Sequence, residues 1–192
     1  MNKMDIVEHL IPRESGSILD VGCGNISVGG HLYCDNRLRK NYEVFGIDLN
    51  PGIRQNVLQA SGINIPFADR SIEYVVSFDV IEHVEDFSSI VKEILRVTKR
   101  RAIIVVPSTS KPIVRKFINI FRRMLGGAGS KLGQFLLQGH YYEFFPYEIL
   151  FFKGNSFNAR MLKIDFPLLG ASFLHRSKLI YAGIYIFDRI EK

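Results

Sequence analysis

The chain has 192 residues, a formal net charge of +6, 47% apolar residues and 23% charged ones. That length and balance fit one domain, 1–192, with a sizeable core, and they exclude a disordered chain. Two cysteines, Cys23 and Cys34, give neither a disulfide framework nor a metal-ligand spacing, so no metal is expected and a reduced, cytoplasmic setting is.

Met1–Asp5 lacks the apolar core of a secretory signal, and no apolar run is long enough to span a bilayer. Residues 5–11 predict a short helix that Pro12 stops. A first strand follows over 17–21 and runs into Val21-Gly22-Cys23-Gly24-Asn25. Apolar residues entering a glycine-spaced loop have the form of a buried strand that turns tightly beneath a ligand. Residues 26–40 predict the first crossover helix, and Tyr42–Ile47 the second strand, ending at Asp48.

The third strand is expected over Val57–Ala60. The link from the second strand is only about eight residues, where a parallel crossover usually takes a dozen or more. A helix there has one turn or is missing. Tyr74–Phe78 reads as a fully buried fourth strand. Phe87, Ile90, Val91, Ile94 and Leu95 fall at helical spacing over 87–98, Lys99-Arg100-Arg101 is expected as a turn, and Ala102–Val106 is the fifth strand. Pro146–Lys153 predicts a short helix and Asn158–Phe166 a sixth strand; 178–187 fits both a seventh strand and an amphipathic helix.

Alternating strands and helices predict an α/β fold, Rossmann-like and doubly wound. Its sheet is expected to be mostly parallel and seven-stranded, with helices on both faces and a basic helical insertion after the fifth strand. In such sheets ligands bind at the carboxyl ends of the strands, near the point where the winding reverses.

Ser108 to Tyr142 contains no acid, while Lys111, Arg115, Lys116, Arg122, Arg123 and Lys131 supply six positive charges. Within it, Ile113, Phe117, Ile120, Phe121 and Met124 make one apolar helical face. Three readings fit: a solvated face on a packed lid over 111–142, docking on an anionic membrane through 111–125, or an anionic substrate or nucleic acid. No interleaved aromatic platform supports the nucleic acid.

Asp48, placed after the glycine loop at the end of the second strand, can accept hydrogen bonds from ribose hydroxyls. Both nicotinamide dinucleotides and S-adenosylmethionine carry such a ribose. A dinucleotide fingerprint needs a third glycine three residues after Gly24, where Ser27 stands, and no phosphate-loop Gly-Lys-Ser/Thr occurs.

Ile18–Asn25, Gly46-Ile47-Asp48, Ile65-Pro66-Phe67 and Ser77–Val84 together resemble the class I S-adenosylmethionine-dependent methyltransferases. The similarity is to small members with a Leu-Glu-His-Val-type stretch after the fourth strand. It covers about residues 15–107 and continues weakly through Gly139–Phe145. The resemblance implies that Asp20, Gly22, Cys23 and Gly24 line the methionine part of the cofactor. It implies that Asp48 binds the ribose, that Leu49 packs on adenine, and that Phe78 and Asp79 close the sulfonium side. Ser61 and Gly62 stand where the family has an acid that meets the adenine amine, so backbone groups are expected to read that edge.

The implied activity is methyl transfer to a small-molecule or lipid-linked acceptor. Proximity and orientation do most of that work, and a base helps a hydroxyl acceptor. His83 and His140 are the candidate bases, although His83 fits a hydrogen-bonded structural role equally well. Cys23, with no adjacent base, reads as a small residue in a tight loop. The alternatives are a methyltransferase-fold binding module without turnover, and a nicotinamide-dependent oxidoreductase, against which Ser27 argues.

Overall fold

The computed structural model describes residues 3–12, 15–24, 38–52, 55–108, 146–164 and 181–191. The expected crossover helix over 26–40 falls outside them except for one 3-10 turn at Leu38–Lys40, and the expected insertion 111–142 and His140 fall outside entirely.

Helix α1 (Lys3–Leu10) precedes β1 (Gly16–Val21), β2 (Tyr42–Asp48), β3 (Val57–Gln59) and β4 (Ile72–Phe78). A 3-10 turn at Ile81–His83 leads to α2 (Phe87–Val97) and β5 (Thr98–Ser108). Helix α3 (Pro146–Leu150) continues as a 3-10 turn over Phe151–Lys153, before β6 (Phe157–Ile164) and β7 (Tyr181–Arg189).

The strands form one sheet in the order β3-β2-β1-β4-β5-β7-β6. The pairs β3–β2, β2–β1, β1–β4 and β4–β5 are parallel, whereas β7 runs antiparallel to both β5 and β6. The winding reverses between β1 and β4, where a ligand crevice is expected.

Two apolar layers sandwich the sheet. One joins Leu19, Val21, Ile47, Val75, Ile104 and Phe187 to Ile90, Val91, Ile94 and Leu95 of α2 and Ile149 of α3. The other joins Ile18, Val44, Val76, Ile103, Val105 and Ile186 to Val7 of α1 and Ile11 just after it. Alternate residues of each central strand therefore enter opposite layers. Helices lie on both faces, as the strand–helix alternation predicts.

Within 178–187, the described residues from Tyr181 on resolve as strand. Ile184 and Ile186 face one layer and Tyr185 and Phe187 the other, all fully buried. A strand buried on both sides is apolar throughout, which erases the period that would separate it from a helix.

The short β2–β3 link contains no helix among its described residues. It can return parallel because β3 has only three residues, so the chain climbs back a short way. Asn56 takes a positive φ of 61° there, and its carbonyl accepts from the Gly46 N–H at 2.9 Å.

Lys99-Arg100-Arg101 is not a turn. The helix ends at Val97 and β5 begins at once. The Thr98 hydroxyl donates to the Ile94 carbonyl at 2.6 Å, and Arg189 donates to the carbonyls of Leu95 at 2.7 Å and Thr98 at 2.9 Å. The last turn of α2 is thus closed by side chains rather than by a loop. The basic residues pair along the strand instead: Lys99 with Glu73 at 3.0 Å, and Arg101 with Asp188 and the Leu10 carbonyl.

Glu73 accepts from the Ser17 hydroxyl and the Ser17 N–H, the latter at 3.0 Å, as well as from Lys99. The Ser17 hydroxyl, more than Lys99, holds its carboxyl down from an ordinary 4.5 to about 2. A depressed carboxyl contributes stability above its unfolded pKa and loses it as the pH falls toward the folded value. Urea midpoints are therefore expected to fall between pH values of about 4.5 and about 2. Glu73→Gln should be less stable at neutral pH and show a flatter slope across that window.

Candidate functional site

The parallel strands bring the predicted residues to one edge. β1 delivers Gly22–Gly24, β2 Asp48 and Leu49, the chain past β3 Ser61 and Gly62, and β4 Phe78 and Asp79. These four strand ends are adjacent in the sheet and flank the reversal between β1 and β4.

The glycine loop is tied to the end of β2. The N–H groups of Gly22 and Cys23 both donate to the Ile47 carbonyl, at 2.8 and 3.1 Å. The Gly24 N–H donates to Asp48 Oδ2 at 2.9 Å, and the Asn50 N–H donates to Oδ1 at 2.9 Å. Each Asp48 oxygen thus takes one backbone donor, and a carboxylate oxygen has room for a second. Loop and carboxylate form one unit.

Gly22 and Gly24 have φ of 78° and 72°, which favour glycine. A Cβ on Gly22 would also stand 2.2 Å from Val80 Cγ2. Val80, which no sequence signal singles out, therefore sets how closely the glycine loop approaches the β4 connection. Gly46 has a matching role. A Cβ there would stand 2.8 Å from Cys23 Sγ, so the fully buried Cys23 side chain fills the space that glycine leaves in β2. The sequence signal was a glycine inside a buried strand, which marks close approach.

Asp20 is 2% exposed and lies in register with Gly46 and Val76. Leu49 is 69% exposed at the rim. The Ser61 carbonyl accepts from the Asn64 N–H at 3.0 Å and makes a turn. Gly62 lies between Val21 and Ile90, where a Cβ would come within 3.3 Å of Ile90 Cδ1. The Phe78 ring belongs to the apolar layer on the α1 side of the sheet, with Tyr74 and Val76. Asp79 has a positive φ of 52° and its N–H donates to the Val105 carbonyl at 2.9 Å. Sparsely populated backbone at a strand end is typical of ligand-facing positions.

In the turn after Val80, Glu82 is fully buried and His83 is exposed. Asp86, not Glu82, caps α2, accepting from the Ser89 N–H at 3.2 Å and from the hydroxyls of Ser88 and Ser89. Those hydroxyl donors hold its carboxyl below the usual range.

The Ile65-Pro66-Phe67 segment is strapped to α2 by two side chains whose pattern carried no motif. Glu93 Oε2 accepts from the Ile65 N–H at 2.9 Å. Arg96 donates to the carbonyls of Ile65 and Phe67, both at 2.9 Å, and pairs with Glu93 at 2.6 Å and Asp69 at 2.7 Å. The guanidinium beside it holds the Glu93 carboxyl below its ordinary value. Arg96→Ala leaves Glu93 and two carbonyls without these donors. A loss of about 2 kcal/mol in urea unfolding is expected.

Residues 19–106 match the family described as a methyltransferase domain. Those residues carry a class I S-adenosylmethionine-dependent methyltransferase domain. It is 31% identical over 105 residues to a ubiquinone biosynthesis O-methyltransferase of Albidiferax ferrireducens, covering 47% of this chain and 40% of that one. It is 27% identical over 116 residues to a probable S-adenosylmethionine-dependent methyltransferase of Mycobacterium tuberculosis, covering 55% and 40% respectively. The chain thus spans about 40% of the length of these curated relatives. The YcgJ protein of Bacillus subtilis has the same fold, with a TM-score of 0.65 at 16% identity over 97% of each chain. Among the described residues, no helix is long and apolar enough to cross a membrane.

Proposed function

We propose that this chain transfers a methyl group from S-adenosylmethionine to a small-molecule or lipid-linked acceptor by in-line displacement. The observation that carries the reading is the Asp48 unit. An acceptor-only carboxylate, fixed by the N–H groups of Gly24 and Asn50, sits beside a loop that no Cβ could enter at Gly22. Those residues fit the cofactor: the remaining acceptor sites of Asp48 suit two ribose hydroxyls.

In this reading Asp20, Gly22 and Gly24 hold the methionine part, Cys23 acts through its backbone, and Leu49 covers adenine. Ser61 and Gly62 offer backbone groups to its edge, while Asp79, beside Phe78, bounds the reacting side. The bound cofactor supplies a sulfonium methyl already activated toward attack. The protein's part is orientation and exclusion of water. In this reading His83, exposed on its turn, takes a proton from a hydroxyl acceptor, with His140 as the second candidate. The segment 111–142 is the proposed lid, and 111–125 a proposed contact with an anionic membrane, on the strength of the acid-free charge pattern. Similarity to a ubiquinone biosynthesis O-methyltransferase supports a lipid-linked acceptor.

Calorimetric titration with S-adenosylhomocysteine tests the reading. Micromolar binding, on the order of 8 kcal/mol, is expected. Binding of a nicotinamide dinucleotide, with none of S-adenosylhomocysteine, would overturn it.

A further inference from the structure

The segment 60–70, between β3 and β4, has neither helix nor strand. A short set of hydrogen bonds therefore fixes its place. At its start the Ala60 N–H donates to the Asp48 carbonyl at 3.0 Å. The 61–64 turn follows, closed by the Asn64 N–H on the Ser61 carbonyl at 3.0 Å, with Gly62 resting on Val21 and on Ile90 of α2. Ile65, buried, comes next. Its N–H donates to Glu93 Oε2 and its carbonyl accepts from Arg96 Nη2, each at 2.9 Å.

Arg96 is used completely. A guanidinium carries five N–H donors in one rigid plane. Nε and one Nη2 hydrogen meet the two Glu93 oxygens, at 2.6 and 2.8 Å. The second Nη2 hydrogen meets the Ile65 carbonyl at 2.9 Å. The two Nη1 hydrogens meet the Phe67 carbonyl at 2.9 Å and Asp69 Oδ1 at 2.7 Å. The Arg96 carbonyl in turn accepts from the Arg70 N–H at 2.9 Å. Such a fork fixes direction as well as distance. A lysine would supply the charge but only three donors, in no fixed plane.

The 61–64 turn is thus held at both ends, by Asp48 before it and by the Glu93–Arg96 fork on α2 after it. A side chain that reads a ligand can swivel to meet it. A turn that reads with backbone groups cannot, so it is only as accurate as its anchors.

We propose that Glu93 and Arg96 are positioning residues for cofactor specificity. Their fork sets where the 61–64 turn stands relative to Asp48, and so lets its backbone distinguish adenine from other bases. The inference rests on the reading of Ser61 and Gly62 as the groups that meet the adenine edge.

The test compares S-adenosylhomocysteine with S-inosylhomocysteine, in which a carbonyl replaces the 6-amine and the ring nitrogen beside it becomes a donor. Calorimetric titration of the native chain should favour the adenine compound by about tenfold or more, because the reversed pattern leaves the turn's groups unpaired. In Arg96→Lys the adenine compound should lose about tenfold and the inosine compound much less, so the preference collapses. Glu93→Gln keeps an oxygen for the Ile65 N–H but presents an amide N–H to Arg96. It should show the same loss of preference in smaller degree, and it carries the test if Arg96→Lys does not fold. Faster hydrogen exchange at the Ile65 amide, with the amides of β1 and β4 unchanged, should accompany both.

Equal loss of both compounds, or loss of neither, in a folded variant would overturn the positioning role and leave the cofactor reading standing. A native chain with no preference between the two, or with affinity for neither, would overturn the adenine-edge reading and this inference with it.

Discussion

Asp48→Ala is expected to weaken S-adenosylhomocysteine binding by on the order of a hundredfold, because the two charge-assisted hydrogen bonds proposed to the ribose would be lost together. The structure adds a second effect. Asp48 Oδ2 accepts from the Gly24 N–H and Oδ1 from the Asn50 N–H, both at 2.9 Å, so alanine also releases the glycine loop. Hydrogen exchange at the Gly24 amide separates the two. Faster exchange measures the released loop, and the calorimetric loss measures both. Asp48→Asn retains one acceptor oxygen but presents an amide N–H to one of the two backbone donors, so an intermediate loss is expected. Unchanged affinity in Asp48→Ala would sink the ribose assignment.

Gly22→Ala should cost about 3 kcal/mol or more, combining a left-handed backbone with overpacking. The φ is 78°, and the new Cβ would stand 2.2 Å from Val80 Cγ2 and 2.9 Å from Cγ1. Val80 belongs to the connection after β4, so relief of the clash must move the two walls of the crevice apart. Cofactor affinity should fall together with the urea midpoint. Adding Val80→Ala removes both clashing methyls but not the strain in φ, so partial recovery of both is expected. No recovery would place the whole cost on the backbone; full recovery would place it all on the contact.

Glycine is tolerated differently at Gly46. It lies inside β2, and the group it makes room for is Cys23, one strand away. That pairing explains why a buried thiol sits in the glycine loop. Its side chain fills the space that Gly46 leaves.

Much of this protein was determined locally. Gly22-Cys23-Gly24 after an apolar strand, Asp48 at the end of the next, and the helical spacing from Phe87 to Leu95 are short-range signals. Each reflects backbone freedom, side-chain chemistry or one period, and needs no distant partner. The alternation of elements then fixed the edge to which those residues come, because parallel strands all end on the same side.

Three features were decided only in the tertiary structure. The period of β7 vanished because both of its faces are covered, by layers drawn from distant parts of the chain. Lys99-Arg100-Arg101 looked like a turn because charge suggests solvent, but Glu73 and Asp188 lie 26 and 87 residues from the lysine and the arginine that they bind. The glycine loop's fit against Val80, and the strap from Arg96 to Ile65 and Phe67, join segments that sequence order keeps apart. A sequence states what each residue can offer. Which offer is taken up depends on the neighbour that folding brings within contact distance, and contact acts over a few ångströms while chain separation spans tens of residues.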